Sequence, residues 1–61
     1  MKRYVVWKEY GNYKVTSEDN YNSVYRNERE VNTLTGFDNA NQVICYLQSL
    51  SINNEFIEID N

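Results

Sequence analysis

Apolar and polar positions alternate from the start of the chain. In YVVWKEYGNYKVTS (4–17), folded as a hairpin about Gly11-Asn12, Tyr4, Val6, Lys8, Tyr10, Tyr13 and Val15 fall on one face, and Val5, Trp7, Glu9, Lys14 and Thr16 on the other. A period of two with β-branched and aromatic residues on either side of a Gly predicts a β-hairpin. Gly11-Asn12 is the expected two-residue turn, because both residue types accept positive φ. A turn there sets Tyr10 opposite Tyr13, Glu9 opposite Lys14, Trp7 opposite Thr16 and Val6 opposite Ser17. The first two are favourable cross-strand pairs. Neither face is cleanly polar, whereas a sheet covered on one side alternates apolar with polar. The hairpin is therefore expected to be contacted on both faces, and in so short a chain that suggests a partner.

Residues 18–23 (EDNYNS) read as turn or loop by composition. The following VYRNEREVNTLT supports two patterns. Val24, Val31 and Leu34 fit a weak helix capped by Asn22 or Ser23, while Val31, Thr33 and Thr35 alternate as a strand. The preferred reading is loop to about residue 28 and strand over 30–35. Ala40, Val43, Ile44, Leu47 and Leu50 then recur at helical spacing. Asp38 is the expected N-cap, suited also to the helix dipole, and Phe37 the expected hydrophobic staple. After an Asn53-Asn54 turn, EFIEID (55–60) alternates with Ile57 and Ile59 inward and Phe56 and Glu58 outward. The expected fold is a single α+β domain over residues 1–61. It has a small antiparallel sheet, made of the N-terminal hairpin and one or two further strands, with one amphipathic helix packed on it.

Length sharpens the expectation of a partner. A chain of 61 residues buries only about 60% of the surface its unfolded form exposes. Small domains gain stability from disulfides, metals or oligomerisation. Cys45 is the one cysteine and there is no His, so neither a disulfide framework nor a structural zinc site is expected. Oligomerisation remains, and a homodimer or partner-bound chain is expected over a free monomer, with a homodimer the preferred form. A lone cysteine fits a reducing compartment, no signal peptide is read at Met1-Lys2-Arg3, and no stretch nears the roughly 20 apolar residues of a membrane span. A cytoplasmic location is expected.

Net charge is −3, unevenly spread. Lys2, Arg3, Lys8, Lys14, Arg26 and Arg29 all lie in the first half, and from Glu30 onward the only charged residues are Glu30, Asp38, Glu55, Glu58 and Asp60. This asymmetry marks either a charged-partner surface or two differently solvated faces.

Catalytic readings find little purchase. Without His there is no Ser-His-Asp or Cys-His arrangement, and Gly11 and Gly36 are too far apart for a phosphate-cradling loop. No cofactor or metal is expected. On the helix Cys45 falls beside Gln42 and Ser49, opposite the apolar stripe, as a tolerated surface residue or a dimer contact. No basic residue follows Arg29 to lower its pKa.

Two binding readings remain. Aromatics interleaved with Lys2, Arg3, Lys8 and Lys14 could stack bases and neutralise phosphates, although the chain is acidic and carries no recognisable nucleic-acid-binding signature. Tyr and Trp are also the residues that most often anchor protein interfaces. Six Tyr and one Trp exceed what one small core can bury, and Trp7, Tyr10, Tyr13, Tyr21 and Tyr25 are the candidate partner-binding residues. Each could instead complete the core of the monomer.

The chain resembles, in general character, the short accessory proteins of bacteriophages with AT-rich genomes. The features that carry the resemblance are its length, ten Asn and six Tyr, the absence of Pro and His, and the ββ–βα(β) order from KRYVVWKEYGNYKVTSE to GFDNANQVICYLQSL. Such proteins include anti-CRISPR and other anti-defence inhibitors, among them those that block the Thoeris, Gabija or Hachiman systems. The resemblance implies a non-catalytic, often oligomeric protein that binds and blocks a bacterial host protein in the host cytoplasm. It assigns no functional residue.

Overall fold

A computed structural model describes residues 2–59. Strands β1 (Arg3–Glu9) and β2 (Asn12–Ser17) form the hairpin, followed by the one-turn helix α1 (Glu18–Asn22) and a 3₁₀ turn at Glu28–Glu30. Strand β3 (Asn32–Leu34), helix α2 (Ala40–Leu50) and strand β4 (Glu55–Glu58) complete an α+β fold. The four-stranded sheet has the order β3-β2-β1-β4. Helix α2 carries the chain from one edge strand to the other. That crossover returns β4 parallel to β1, while β1–β2 and β2–β3 are antiparallel. The sheet is thus mixed rather than antiparallel throughout, because parallel neighbours need a crossover and α2 supplies one.

The hairpin turns one residue earlier than expected. Tyr10 and Gly11, at φ 51° and 80°, form the two-residue turn, and positive φ at both centres is the type I′ arrangement. Glu9 then faces Asn12, Lys8 faces Tyr13, Trp7 faces Lys14, Val6 faces Val15 and Val5 faces Thr16. The physical reason lies in the pairs. A Gly11-Asn12 turn sets Val6 against Ser17 and leaves Val15 opposite Lys8. The observed register joins Val6 to Val15 and brings the Lys8 ammonium over the Tyr13 ring, 5.7 Å from its centroid. The anticipated Glu9–Lys14 pair is absent, and Lys14 Nζ instead donates to Thr33 Oγ1 at 2.7 Å on β3. The shift is by two in partner number, so each side chain keeps its face.

Both faces are covered, and by the chain itself. On one, Val6, Tyr13 and Val15 pack with Ala40 and Val43 of α2, ringed by Tyr4, Leu34, Phe37, Ile44, Leu47 and Phe56. Phe56 stacks on Tyr4 at 5.4 Å. It points toward α2, contrary to the expected outward position, because parallel pairing places it beside Tyr4. Ile57, beside Val5, takes the other face, while Ile59 is half-buried. The α2 N-cap is Asn39, not Asp38. Its side chain accepts from Gln42 N–H at 3.0 Å, and Gln42 Oε1 accepts from Asp38 N–H at 2.9 Å. This resembles a capping box, except that the reciprocal arm from Gln42 reaches the N–H of the residue before the cap, and Phe37 still packs on the core.

The second face, with Val5, Trp7 and Thr16 buried, is covered by residues 18–31, which act as a strap. Residues 18–22, expected as loop, are helical because Ser17 caps them. Its Oγ accepts from Asn20 N–H at 3.1 Å, with Glu18 and Asp19 in the first turn. Asn20 is the strap's fastening. Its Nδ2 donates to Thr16 Oγ1 (2.8 Å) and to the Asn27 carbonyl (3.0 Å), and its Oδ1 accepts from Asn27 N–H (2.7 Å). The side-chain amide therefore serves Asn27 as a neighbouring strand's peptide would. Thr16 Oγ1 in turn donates to the Glu30 carbonyl at 3.3 Å.

Replacing Asn20 by Ala removes the partner of the Asn27 N–H, one of the two partners of the Asn27 carbonyl (the Glu30 N–H stays, at 3.0 Å) and one partner of Thr16, each loss worth about 1–3 kcal/mol where the group is left buried without a partner. Asn20→Ala should lower unfolding free energy by at least about 2 kcal/mol in urea titration. The Asn27 amide should also lose hydrogen-exchange protection ahead of the Val6 and Val15 amides. Equal loss at all three positions would mean the strap is not separately fastened.

Candidate protein-binding surface

The five aromatic candidates part company in the structure. Trp7 and Tyr13 are 3% and 8% exposed and belong to the two cores, one under the strap and one under α2. They offer no surface to a partner. Tyr13 is buried by α2 and Trp7 by the strap, whose covering of the second face the composition of residues 18–31 did not announce. Tyr21 is half-buried and tilts against Trp7 with ring centroids 5.1 Å apart. The Arg26 guanidinium lies over both rings, 5.4 Å from Trp7 and 4.8 Å from Tyr21. It is a cation–π cover for the strap. Tyr10 and Tyr25 are 95% and 91% exposed.

Tyr10 sits at the hairpin tip in the left-handed region, where an L residue with a large side chain costs roughly 1–2 kcal/mol. Gly and Asn occupy such turn positions at less cost. Tyr10 is the one non-glycine residue with positive φ among the described residues. A strained backbone site carrying a fully exposed ring gains no core contact from that ring. The register that joins Val6 to Val15 and Lys8 to Tyr13 puts Tyr10 in this turn, and its ring stays in solvent.

Tyr25 projects from the strap together with exposed Val24. Ser23 Oγ accepts from Tyr25 N–H at 3.2 Å, and the next two residues are held by the Arg26 stack and the Asn20–Asn27 pair. Two large side chains thus stand in solvent on a fastened loop. Val24 was not singled out from the sequence, although an apolar pair inside the polar run EDNYNSVYRNERE is a usable signal.

A shallow depression of about 380 Å³ lies elsewhere, lined by Lys2, Arg3, Ser17, Glu18 and Asp19. Its Arg3 guanidinium is already shared by Glu18 (3.4 Å) and Glu55 (3.8 Å). Cys45 is exposed on α2, as its place opposite the apolar stripe suggested. No helix among the described residues is long and apolar enough to cross a membrane. In comparisons with known proteins, no protein-family model matches the chain, and no curated protein or solved structure matches it.

Relief of the tip strain is measurable. Tyr10→Asn, which restores the favoured Asn-Gly turn, should raise stability by about 0.5–1 kcal/mol and the melting temperature by a few degrees. Tyr13→Ala should instead cost about 3–5 kcal/mol as a buried aromatic truncation. Thermal melts followed by circular dichroism check both, and a destabilised Tyr10→Asn would show that the ring contributes to the fold.

Proposed function

We propose that this protein is a non-catalytic binding protein that docks on another protein through the rings of Tyr10 and Tyr25, with Val24 beside the latter, and blocks it. The observation that carries this reading is Tyr10, a fully exposed ring kept at a strained turn position. Aromatic side chains held in place before contact lose little entropy on binding and are the commonest interface anchors. The strap's hydrogen bonds hold the backbone that carries Tyr25.

The partner this suits best is a bacterial host protein, with the chain acting in the host cytoplasm as a phage anti-defence factor, in keeping with its general resemblance to such proteins. Stacking of nucleic-acid bases on the hairpin has less support. The rings of Trp7 and Tyr13 are buried, which leaves Tyr10 as the hairpin's one fully exposed ring, whereas a stacking platform sets successive bases on several.

The double variant Tyr10→Ala/Tyr25→Ala should keep the wild-type circular-dichroism spectrum and lose at least about tenfold in affinity, since anchors of this type are each worth about 2 kcal/mol or more. The comparison is capture from nuclease-treated host lysate by tagged wild type and by the variant, read by mass spectrometry. Proteins held by the wild type and released by the variant meet the expectation. Equal capture by both removes these rings from the interface. Recovery of nucleic acid in untreated lysate, with every protein partner lost on nuclease treatment, would support the base-stacking alternative.

A further inference from the structure

The strap over the second face has a closed neck. It leaves β2 at Ser17 and enters β3 at Asn32, and Asn32 pairs with Val15, just before that exit. Loops whose ends are pinned together in this way are compact surface units of the Ω type. None of the strand pairings that build the sheet uses a residue of 18–31. The apolar cluster between the sheet and α2 draws on none of them either. The strap's own backbone bonds, from Ser23 N–H to Asn20, Glu30 N–H to Asn27 and Val31 N–H to Glu28, stay within it. So does the pair between Asn20 and Asn27.

Little ties the strap to what it covers. Among the described residues, beyond the Ser17 cap at the neck, two hydrogen bonds cross from strap to sheet, and both end on one group. Thr16 Oγ1 accepts from Asn20 Nδ2 at 2.8 Å and donates to the Glu30 carbonyl at 3.3 Å. The other ties are the Arg3–Glu18 ion pair at 3.4 Å, partly exposed and so worth little, and the contacts of Tyr21 and Arg26 with the Trp7 ring. Asn20 is the strap's one buried residue. Segments with so few buried apolar contacts open at lower free energy than the core beside them.

We propose that the strap is a lid. Residues 18–31 swing off the sheet as one unit, hinged at Ser17 and Val31, with the Thr16 hydroxyl as the latch and the hairpin, β3, β4 and α2 still folded beneath. Opening uncovers Val5, Trp7 and Thr16, which the closed lid buries. It also displaces Val24 and Tyr25, which ride on the lid, and leaves Tyr10 at the hairpin tip where it is. The opening stands apart from the target-binding reading, and its bearing on Tyr25 as an anchor rests on that reading.

Adjacent residues of β1 give a matched test, since Val5 is buried on the lid's face and Val6 on that of α2. With Cys45, the one cysteine, changed to Ser, the variants Val5→Cys and Val6→Cys each carry a single thiol. Their labelling by excess DTNB is followed in rising urea, with no target present. Val5→Cys should label at least about tenfold faster than Val6→Cys. Its rate should also depend less on urea, because opening the lid exposes little surface, whereas labelling at position 6 follows global unfolding. Adding Thr16→Val to Val5→Cys removes the latch at nearly constant volume and should speed labelling by about tenfold or more. Should Val5→Cys fail to fold, exchange of the Asn20 side-chain amide hydrogens in the unmodified chain, read by NMR against the Val6 N–H, replaces it on the same criteria. Equal rates with equal urea dependence at the two positions overturn the proposal. So does labelling that Thr16→Val leaves unchanged.

Discussion

The side-chain amide of Asn20 is the contact on which the arrangement depends. A central hairpin with apolar residues on both faces needs two covers, and sixty-one residues hold one long helix. Helix α2 covers one face by ordinary apolar packing. The other is closed by a strap that brings Tyr21 and Val31, both half-buried, while Val24 and Tyr25 turn outward. With so little apolar surface to bury, the strap is held by paired hydrogen bonds from Asn20 to Asn27 and by Arg26 over Trp7 and Tyr21. Asn20 can be buried because its donors and acceptor are all used; an unsatisfied amide there would oppose closure.

Much of this was legible in the chain. The two side-chain sets of the hairpin hold despite a different turn, since a shift of two leaves every parity unchanged. The register was not legible, because turn preference and cross-strand pairing favour different answers and the Val6–Val15 and Lys8–Tyr13 pairs prevail at Tyr10's expense. The α2 stripe was visible as period, but its cap moved from Asp38 to Asn39, a boundary that depends on loop geometry rather than on residue type alone. Helix α1 is one turn long and carries no period to detect. Only the Ser17 cap and the Glu18-Asp19 pair mark it. Alternation separated Phe56 from Ile57 correctly but could not say which face α2 occupies, since that follows from a non-local parallel pairing.

The same reasoning sorts the aromatic surplus. Trp7 and Tyr13 lie in the cores because each face has its own cover, and Tyr21 is half claimed by the strap. Tyr10 and Tyr25 are left to solvent at the hairpin tip and on the strap, on elements fastened by turn geometry and hydrogen bonds. Tyr46 and Leu50 form a separate exposure on α2. The opening ribbon YVVWKEYGNYKVTS is thus mostly core, and its outward-facing aromatic is the ring at the turn.

Trp7 allows the most direct test, because it is the sole tryptophan and lies at the centre of the strapped face. The decisive measurement is acrylamide and iodide quenching of its fluorescence in dilute solution, where only intramolecular contacts can shield it. Blue-shifted emission with little quenching is expected, and both should revert to solvent-exposed behaviour on unfolding. Red-shifted, readily quenched emission from the folded chain would contradict the account. It would mean that the strap does not close and that the ribbon's aromatic face is free for a partner.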